Sequence, residues 1–139
     1  MSISGISSNI TLSSNSVDVY QGESKDLDLE IVKEVKNIDG VLVEEPVDLT
    51  GCTIYFSVRT KTNSPDLLIS KTSTNVLAVE ILLPLTDGKA IIHLTSDDTK
   101  HMDPSEYVFD VWITLSSGKN APVVEVSAFI VKAAVTKLP

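Results

Sequence analysis

The side chains that could carry out catalysis are few, and their arrangement does not favour it. The chain has two histidines, His93 and His101, and one cysteine, Cys52. Nucleophilic catalysis needs a serine or cysteine beside a histidine that a carboxylate orients. No Gly-x-Ser-x-Gly elbow accompanies either histidine, and we place His93 on the outward face of a strand and His101 in a helical turn. The sequence therefore predicts no catalytic residue and no enzyme activity.

Carboxylates are the other chemically capable group. Three alternate on one face of a predicted strand and four surround a predicted helical turn: Asp26, Asp28 and Glu30, then Asp97, Asp98, Asp103 and Glu106. Oxygen ligands at this density could hold calcium, and any two could be drawn as a glycosidase pair. Alternating acids are more typical of a solvated strand face that discourages edge-to-edge pairing. Zinc would need a histidine and cysteine spacing that the sequence lacks. We therefore predict no metal and no cofactor.

The bulk composition limits the class of partner. The 139 residues carry a net charge of −8, and the eleven lysines and arginines are scattered. Nucleic acids and anionic membranes both require clustered basic residues, so neither is an expected partner. A single cysteine cannot form an intrachain disulfide. No stretch approaches the ~20 apolar residues of a membrane span, and the N-terminus does not resemble a secretory signal. We expect folding in a reducing cytoplasm.

The elements that would position any functional side chain are short strands. Alternating apolar residues between turn signals predict eight or nine of them, with candidates at 17–20, 25–33, 41–43, 52–60, 67–71, 76–83, 90–94, 107–115 and 123–133. No stretch has the periodicity of a long amphipathic helix. This pattern favours an all-β antiparallel sandwich formed by one domain, residues 16–139, preceded by an extended N-terminal tail, residues 1–15.

One short helical turn is predicted at about 96–102. Ser96 stands where an N-cap belongs, Asp97 and Asp98 suit the positive end of a first turn, and Pro104 ends it. A turn of this kind would carry the chain across the end of the sandwich into the long strand 107–115.

The outward face of that strand is the candidate contact surface. Alternation puts Tyr107 and Phe109 inward, which leaves Val108, Asp110 and Trp112 outward. Tyr55 is outward on the strand 52–60. The alternative interpretation is that the N-terminal tail or the loop 61–75 covers these side chains.

The two chain ends are the second candidate contact element. The tail 1–15 and the segment 133–139 would reach onto neighbouring subunits through their apolar residues, namely Ile3, Ile6, Ile10 and Leu138.

The order of the motifs resembles a known group of proteins. The motifs are Tyr20-Gln21-Gly22 before an alternating strand, Pro46-Val47-Asp48-Leu49-Thr50-Gly51, Ile54-Tyr55-Phe56-Ser57-Val58-Arg59, Gly88-Lys89-Ala90-Ile91-Ile92-His93-Leu94-Thr95 running into Ser96-Asp97-Asp98-Thr99, and Ser105-Glu106-Tyr107-Val108-Phe109-Asp110-Val111. Over roughly residues 18–133 the chain resembles small tailed-phage virion proteins with an immunoglobulin-like sandwich. The N-terminal domain of phage baseplate upper proteins is similar. The helical and receptor-binding portion that follows the domain in those proteins is missing from this sequence.

The resemblance implies a non-enzymatic virion protein that serves as an adaptor or attachment protein of tail, baseplate or neck. It implies other virion proteins as partners, a symmetric homo-oligomer, and localisation in the virion after assembly in the host cytoplasm. Two alternatives stay open at this point: a capsid decoration protein, and a module that binds a receptor or carbohydrate. The family offers no catalytic residue to carry over.

Overall fold

A computed structural model describes residues 6–10, 16–74, 80–82 and 88–136 of the chain. The described elements are β1 Ile6–Ile10, β2 Val17–Tyr20, β3 Lys25–Lys36, β4 Leu42–Pro46, β5 Thr53–Arg59, β6 Leu67–Thr72, β7 Ile81–Leu82, β8 Lys89–Leu94, α1 Ser96–Thr99, β9 Ser105–Thr114 and β10 Asn120–Lys132. β2, β5, β8 and β9 alternate buried side chains with more exposed ones, so the period of two that predicted them also selects the face that packs inward.

The strands form two packed sheets, which confirms the predicted all-β sandwich. One sheet has the order β1-β3-β8-β7, with β4 also paired to β3, and the other has the order β2-β10-β9-β5-β6. This partition is that of immunoglobulin-like domains, with an extra strand, β4, between the second and third strands of the usual plan.

One pair departs from the antiparallel arrangement of the sandwich, because β2 and β10 run parallel. The reason is that β2 and β3 lie in different sheets and the turn at Gln21 and Gly22 carries the chain between them at one end of the sandwich. β10 ends at the same end, where the Gln21 N–H donates to the Lys132 carbonyl at 2.9 Å. Two strands that finish at one end of a sheet must be parallel.

The core lies between the sheets and is built from aliphatic side chains around three aromatic rings. Phe56, Phe109 and Phe129 have ring centroids 5.6 to 6.3 Å apart and are almost completely buried. Edge-to-face and tilted contacts at this spacing add to the hydrophobic contribution of each ring. They hold together the three central strands, β5, β9 and β10.

The N-terminal segment predicted to be an extended tail is a strand over residues 6–10. There β1 pairs antiparallel with β3, with Ile6 opposite Lys33 and Ile10 opposite Leu29. Of the strand predicted at 76–83, only β7 is described, and residues 75–79 lie outside the described part.

The connection from β8 to β9 differs in detail from the prediction. Helix α1 spans Ser96–Thr99 rather than 96–102, and its N-cap is Thr95, not Ser96. The Asp98 carboxylate accepts the Thr95 N–H at 2.7 Å, which satisfies a donor that the short helix leaves without a partner. The N-cap therefore lies one residue earlier than predicted, because an acid three residues beyond Thr95 is available to accept its N–H.

Two further contacts of Asp98 and Tyr107 secure this end of the sandwich. The Lys71 ammonium lies 2.8 Å from the Asp98 carboxylate, and their side chains are only 8% and 17% exposed. The Tyr107 hydroxyl donates to the Asp103 carbonyl at 2.6 Å. This is the arrangement called a tyrosine corner in immunoglobulin-like domains. Burial raises the pKa of the Tyr107 phenol, and the Asp103 carboxylate adds to the effect.

Gly88 allows β3 to pass from one partner strand to the next. Its carbonyl accepts the Ile31 N–H at 2.6 Å, and the Ile31 carbonyl in turn accepts the Val47 N–H at 3.0 Å. A Cβ at Gly88 would overlap the Ile31 carbonyl oxygen and lie 2.9 Å from the Val47 nitrogen, and the backbone there has φ +66°. Only glycine combines this conformation with such close backbone contact.

Candidate interaction surface

The outward side of β5 and β9 carries two large aromatic side chains next to each other. Tyr55 and Trp112 are directly opposite in the antiparallel pair of these strands. They are 43% and 41% exposed. Directly opposite residues have Cβ atoms about 4.5–5.5 Å apart, so the two rings form one continuous apolar surface. We call this surface, centred on Tyr55 and Trp112, the aromatic face.

The orientation of the indole is set by a hydrogen bond within the same strand. The Trp112 Nε1–H donates to the Asp110 carboxylate at 3.1 Å. Asp110 lies two residues before Trp112 and therefore on the same face of β9. Because the polar atom of the indole is occupied in this way, the part of Trp112 that remains exposed is mainly apolar ring.

A shallow depression beside the two rings has a polar rim. It is lined by Tyr55, Trp112, Thr114 and Asn120. The Thr114 hydroxyl donates to the Asn120 Oδ1 at 2.5 Å, so the acceptor atom of the amide is used within the rim. Within the described residues, the amide nitrogen of Asn120 has no hydrogen bond. Pro122, opposite Trp112 on β10, extends the apolar surface across a third strand.

Val108 lies on the same side of the sheet but not in the aromatic face. It is four residues before Trp112 and opposite Arg59, hence about 13 Å along the strand. Val108 is half-buried, and with Val126 it lines a second depression of about 60 Å³, which Ser57, Arg59, Thr62, Phe109 and Asp110 complete. This depression lies where β10 has a register shift between Val124 and Ser127.

The other predicted contact residues are not part of this surface. Ile6 and Ile10 belong to β1, which lies in the opposite sheet. Ile3 and Leu138 lie outside the described residues. The structure thus brings together Tyr55 and Trp112, places Val108 at a distance on the same sheet, and places the strand of Ile6 and Ile10 in the other sheet.

Sequence reasoning missed a second exposed apolar group at the turn between β3 and β4. Ile38 is 101% exposed, and Val41 and Leu42 are 57% and 58% exposed. The sequence contained a sign of this group, because Ile38 lies inside an Asn-Ile-Asp-Gly turn, which is typical of a hairpin tip, and Val41 and Leu42 follow it directly. An apolar residue inside such a turn has no core to enter, and that could have marked it as a contact residue.

The residues considered for chemistry do not form a reactive site in the described part of the chain. The His93 Nδ1 is 2.7 Å from an Asp26 carboxylate oxygen, an exposed pair on the outer side of the sheet opposite to the aromatic face. Asp28, on the same strand face as Asp26, is exposed. His101 is exposed in the turn after α1, and Cys52 is half-buried against the core. Among the described residues, no group of three or more His, Cys, Asp or Glu side chains could hold a metal ion.

The acids around α1 are engaged locally. The Lys100 ammonium is 2.7 Å from the Asp97 carboxylate, and its hydrogen bond and charge lower the pKa of Asp97. Asp98 pairs with Lys71, so two of the four acids near this turn already have cations. The same residues are therefore better explained as ion pairs that stabilise the turn than as ligands.

Within the described ranges, no helix is long and apolar enough to cross a membrane.

A scan of the sequence against protein-family models gave no match, and neither did a search of curated proteins. In the described part of the chain, the exposed surface best suited to a contact is the aromatic face, with its rim of hydrogen-bonding groups.

Proposed function

We propose that this protein is a non-enzymatic structural component of a tailed-phage virion, an adaptor or attachment protein of the tail, baseplate or neck. The order of sequence motifs described above supports the class of protein. The immunoglobulin-like sandwich is the fold which that resemblance implies, and it supports the proposal at the level of architecture. A role in assembly requires a stable body that presents a fixed surface to its neighbours.

The observation that carries the proposal is the cross-strand pair of Tyr55 and Trp112. Both rings are more than 40% exposed on a central region of a sheet whose other side forms the core. Aromatic residues are enriched at the centres of protein interfaces because they bury a large area with few rotatable bonds. A single face of this size binds weakly, and repeated copies in a symmetric particle would add their contributions.

Quantitative mass spectrometry of purified particles tests the proposal. We expect this chain at a copy number that matches tail symmetry. A copy number that scales with the shell would support the alternative of capsid decoration. Complete absence of the chain from particles would refute the structural role.

Substitution of the aromatic face tests which surface is used. The double variant Tyr55→Ala/Trp112→Ala should be lost from particles, since it removes the apolar surface without changing the core. Tyr20→Ala is a matched control, because Tyr20 is 53% exposed on β2 of the same sheet but outside the aromatic face. Equal incorporation of the two variants would contradict the assignment of this face.

The polar rim favours one second candidate, a carbohydrate-binding module. The depression lined by Tyr55, Trp112, Thr114 and Asn120 places aromatic rings beside an amide and a hydroxyl group, and such a site can combine stacking with hydrogen bonds to a sugar. Titration of the protein with neutral oligosaccharides, followed by the fluorescence of Trp112, the single tryptophan, tests this candidate. Saturable shifts that Asn120→Ala abolishes would favour it, and no shift with any oligosaccharide would exclude it.

A further inference from the structure

Among the strands that the structure describes, the β3–β4 hairpin extends past its neighbours as an arm. β1 pairs with β3 only as far as Lys33, and β8 only as far as Glu30. Beyond Lys33 the strand is paired with β4 alone among the described strands. We call residues 35–45 the arm. An isolated two-stranded hairpin has little stability in water, so contacts other than strand pairing must fix the structure of the arm.

The tip of the arm is held rigid by one side chain. The Asn37 Oδ1 accepts the N–H groups of Asp39 and Val41 at 2.9 and 3.0 Å. The Gly40 N–H donates to the Asn37 carbonyl at 2.9 Å, and Gly40 has φ +78°. These bonds fix the turn in which Ile38 is completely exposed. A rigid apolar side chain loses little conformational entropy on binding and is thus a suitable anchor.

The same chain carries a surface that suits this anchor. The aromatic face is apolar, open and in the other sheet, so the arm of a single chain leaves both surfaces exposed. The shallow depression beside Tyr55 and Trp112 gives an aliphatic side chain two ring surfaces to contact.

The two surfaces offer one pair of opposite charges, and the aromatic face also carries the Asp110 carboxylate bonded to Trp112. The arm contains three acids, Asp39, Glu44 and Glu45, and one lysine, Lys36. Lys119 is the one charged residue of the turn 115–119 and precedes Asn120 on the rim of the depression. With Ile38 on the aromatic face, its neighbour Asp39 would approach this lysine. Opposite charges at an interface rim fix orientation and raise the rate of association.

We propose that the arm of one copy docks on the aromatic face of a second copy, with Ile38 on Tyr55 and Trp112 and Asp39 beside Lys119. The proposal deepens the proposed function, on which it rests, by naming a partner for the aromatic face. The contact is heterologous, because two different surfaces meet, and such contacts build rings when the rotation closes. It is small compared with the ~800 Å² per partner of a standard interface. Closure gives every copy two contacts, which compensates for the small area of each.

Sedimentation velocity of two complementary variants tests the contact. Ile38→Asp removes the anchor and Tyr55→Ala/Trp112→Ala removes the acceptor, so each alone should associate at least about tenfold more weakly than the wild type. Mixed together, they should form a one-to-one dimer, because the intact arm of one still fits the intact face of the other. Val135→Asp is the control, since Val135 is also 101% exposed but belongs to neither surface, and it should associate as the wild type does.

A charge exchange provides a second measurement. Asp39→Lys and Lys119→Asp should each weaken association, and the two together should restore it. Wild-type protein that stays monomeric up to about 1 mM would overturn the proposal. Association that survives in the acceptor variant would overturn it as well, and so would a mixture that associates no more strongly than either variant alone, because the mixture restores one arm–face contact. If Ile38→Asp enters particles normally while the acceptor variant does not, the proposed function stands and the arm contact is refuted.

Discussion

Replacing Asp98 by asparagine removes the counter-ion of a nearly buried lysine. The Lys71 side chain is 8% exposed and its ammonium is 2.8 Å from the Asp98 carboxylate, whose side chain is 17% exposed. Loss of one partner of a buried pair leaves an uncompensated charge and costs 3–5 kcal/mol in typical cases. We expect about 3 kcal/mol for Asp98→Asn, the lower end, because the asparagine oxygen can still accept the Thr95 N–H.

The reverse change should cost less. Lys71→Met removes the buried ammonium and retains most of the volume of the lysine side chain. The Asp98 carboxylate still accepts the Thr95 N–H and remains partly exposed to solvent. We expect a loss of about 1 kcal/mol, and a similar loss for the double variant, which gives a coupling free energy of about 2–3 kcal/mol.

Urea unfolding at neutral pH measures these differences. With a slope of about 2 kcal/mol per molar, Asp98→Asn should lower the midpoint by about 1.5 M, whereas Lys71→Met should lower it by about 0.5 M. The double variant should unfold near the Lys71→Met midpoint. A loss below about 1 kcal/mol for Asp98→Asn, or a double variant that loses the sum of both, would show that Lys71 is not isolated from water and would refute the reasoning.

Three further predictions concern the backbone and the links between elements. Gly88→Ala should destabilise the fold by at least about 3 kcal/mol in the same assay, because strain at positive φ adds to the overlap with neighbouring backbone atoms. Gly118 has φ +89° and nothing within 4 Å of a built Cβ, so Gly118→Ala should lower the free energy of unfolding by only about 1–2 kcal/mol. The pKa of Tyr107 is raised in the folded protein, so this residue contributes stability below the usual tyrosine pKa of about 10. That contribution is lost as the pH rises through the higher pKa of the folded state. The stability of Tyr107→Phe should therefore depend less on pH above about 10 than that of the wild type. Gln21→Leu should cost about 1–3 kcal/mol, since the Gln21 side chain donates to the Met102 carbonyl at 2.8 Å and accepts the Ala134 N–H at 3.3 Å; thermal unfolding with an unchanged midpoint would contradict that role.

Alternation along the sequence was sufficient to predict which side of its strand a residue occupies. Trp112 and Tyr55 were expected to point outward, and both are exposed. Their direct pairing was not predicted, because a period of two defines the face and contains no information on the register between strands whose paired residues, Tyr55 and Trp112, are 57 positions apart in the chain. The sequence therefore predicted which residues form the candidate surface, but not how they are arranged on it.

Contacts between distant segments account for most of the differences. The N-cap prediction chose Ser96 because its residue type suits the position, while Thr95 has a partner in Asp98. Lys71 lies on the inward side of β6, where a lysine is unexpected, and only its approach to Asp98 makes that burial tolerable. The parallel pairing of β2 depends on which sheet the strand joins, and four residues with two buried valines fit either sheet equally well.

The parallel pair of β2 and β10 has a mechanical consequence. Val17 lies opposite Phe129 and Tyr20 opposite Lys132, so β2 enters at one end of the pair and β10 leaves at the other. A pulling force applied to the chain before β2 and after β10 would slide these strands along each other and load their hydrogen bonds simultaneously. Strands pulled apart from one end would instead break their bonds in succession at lower force. The domain is therefore expected to resist stretching along this direction, with its lifetime under load determined by the barrier to shearing this short pair.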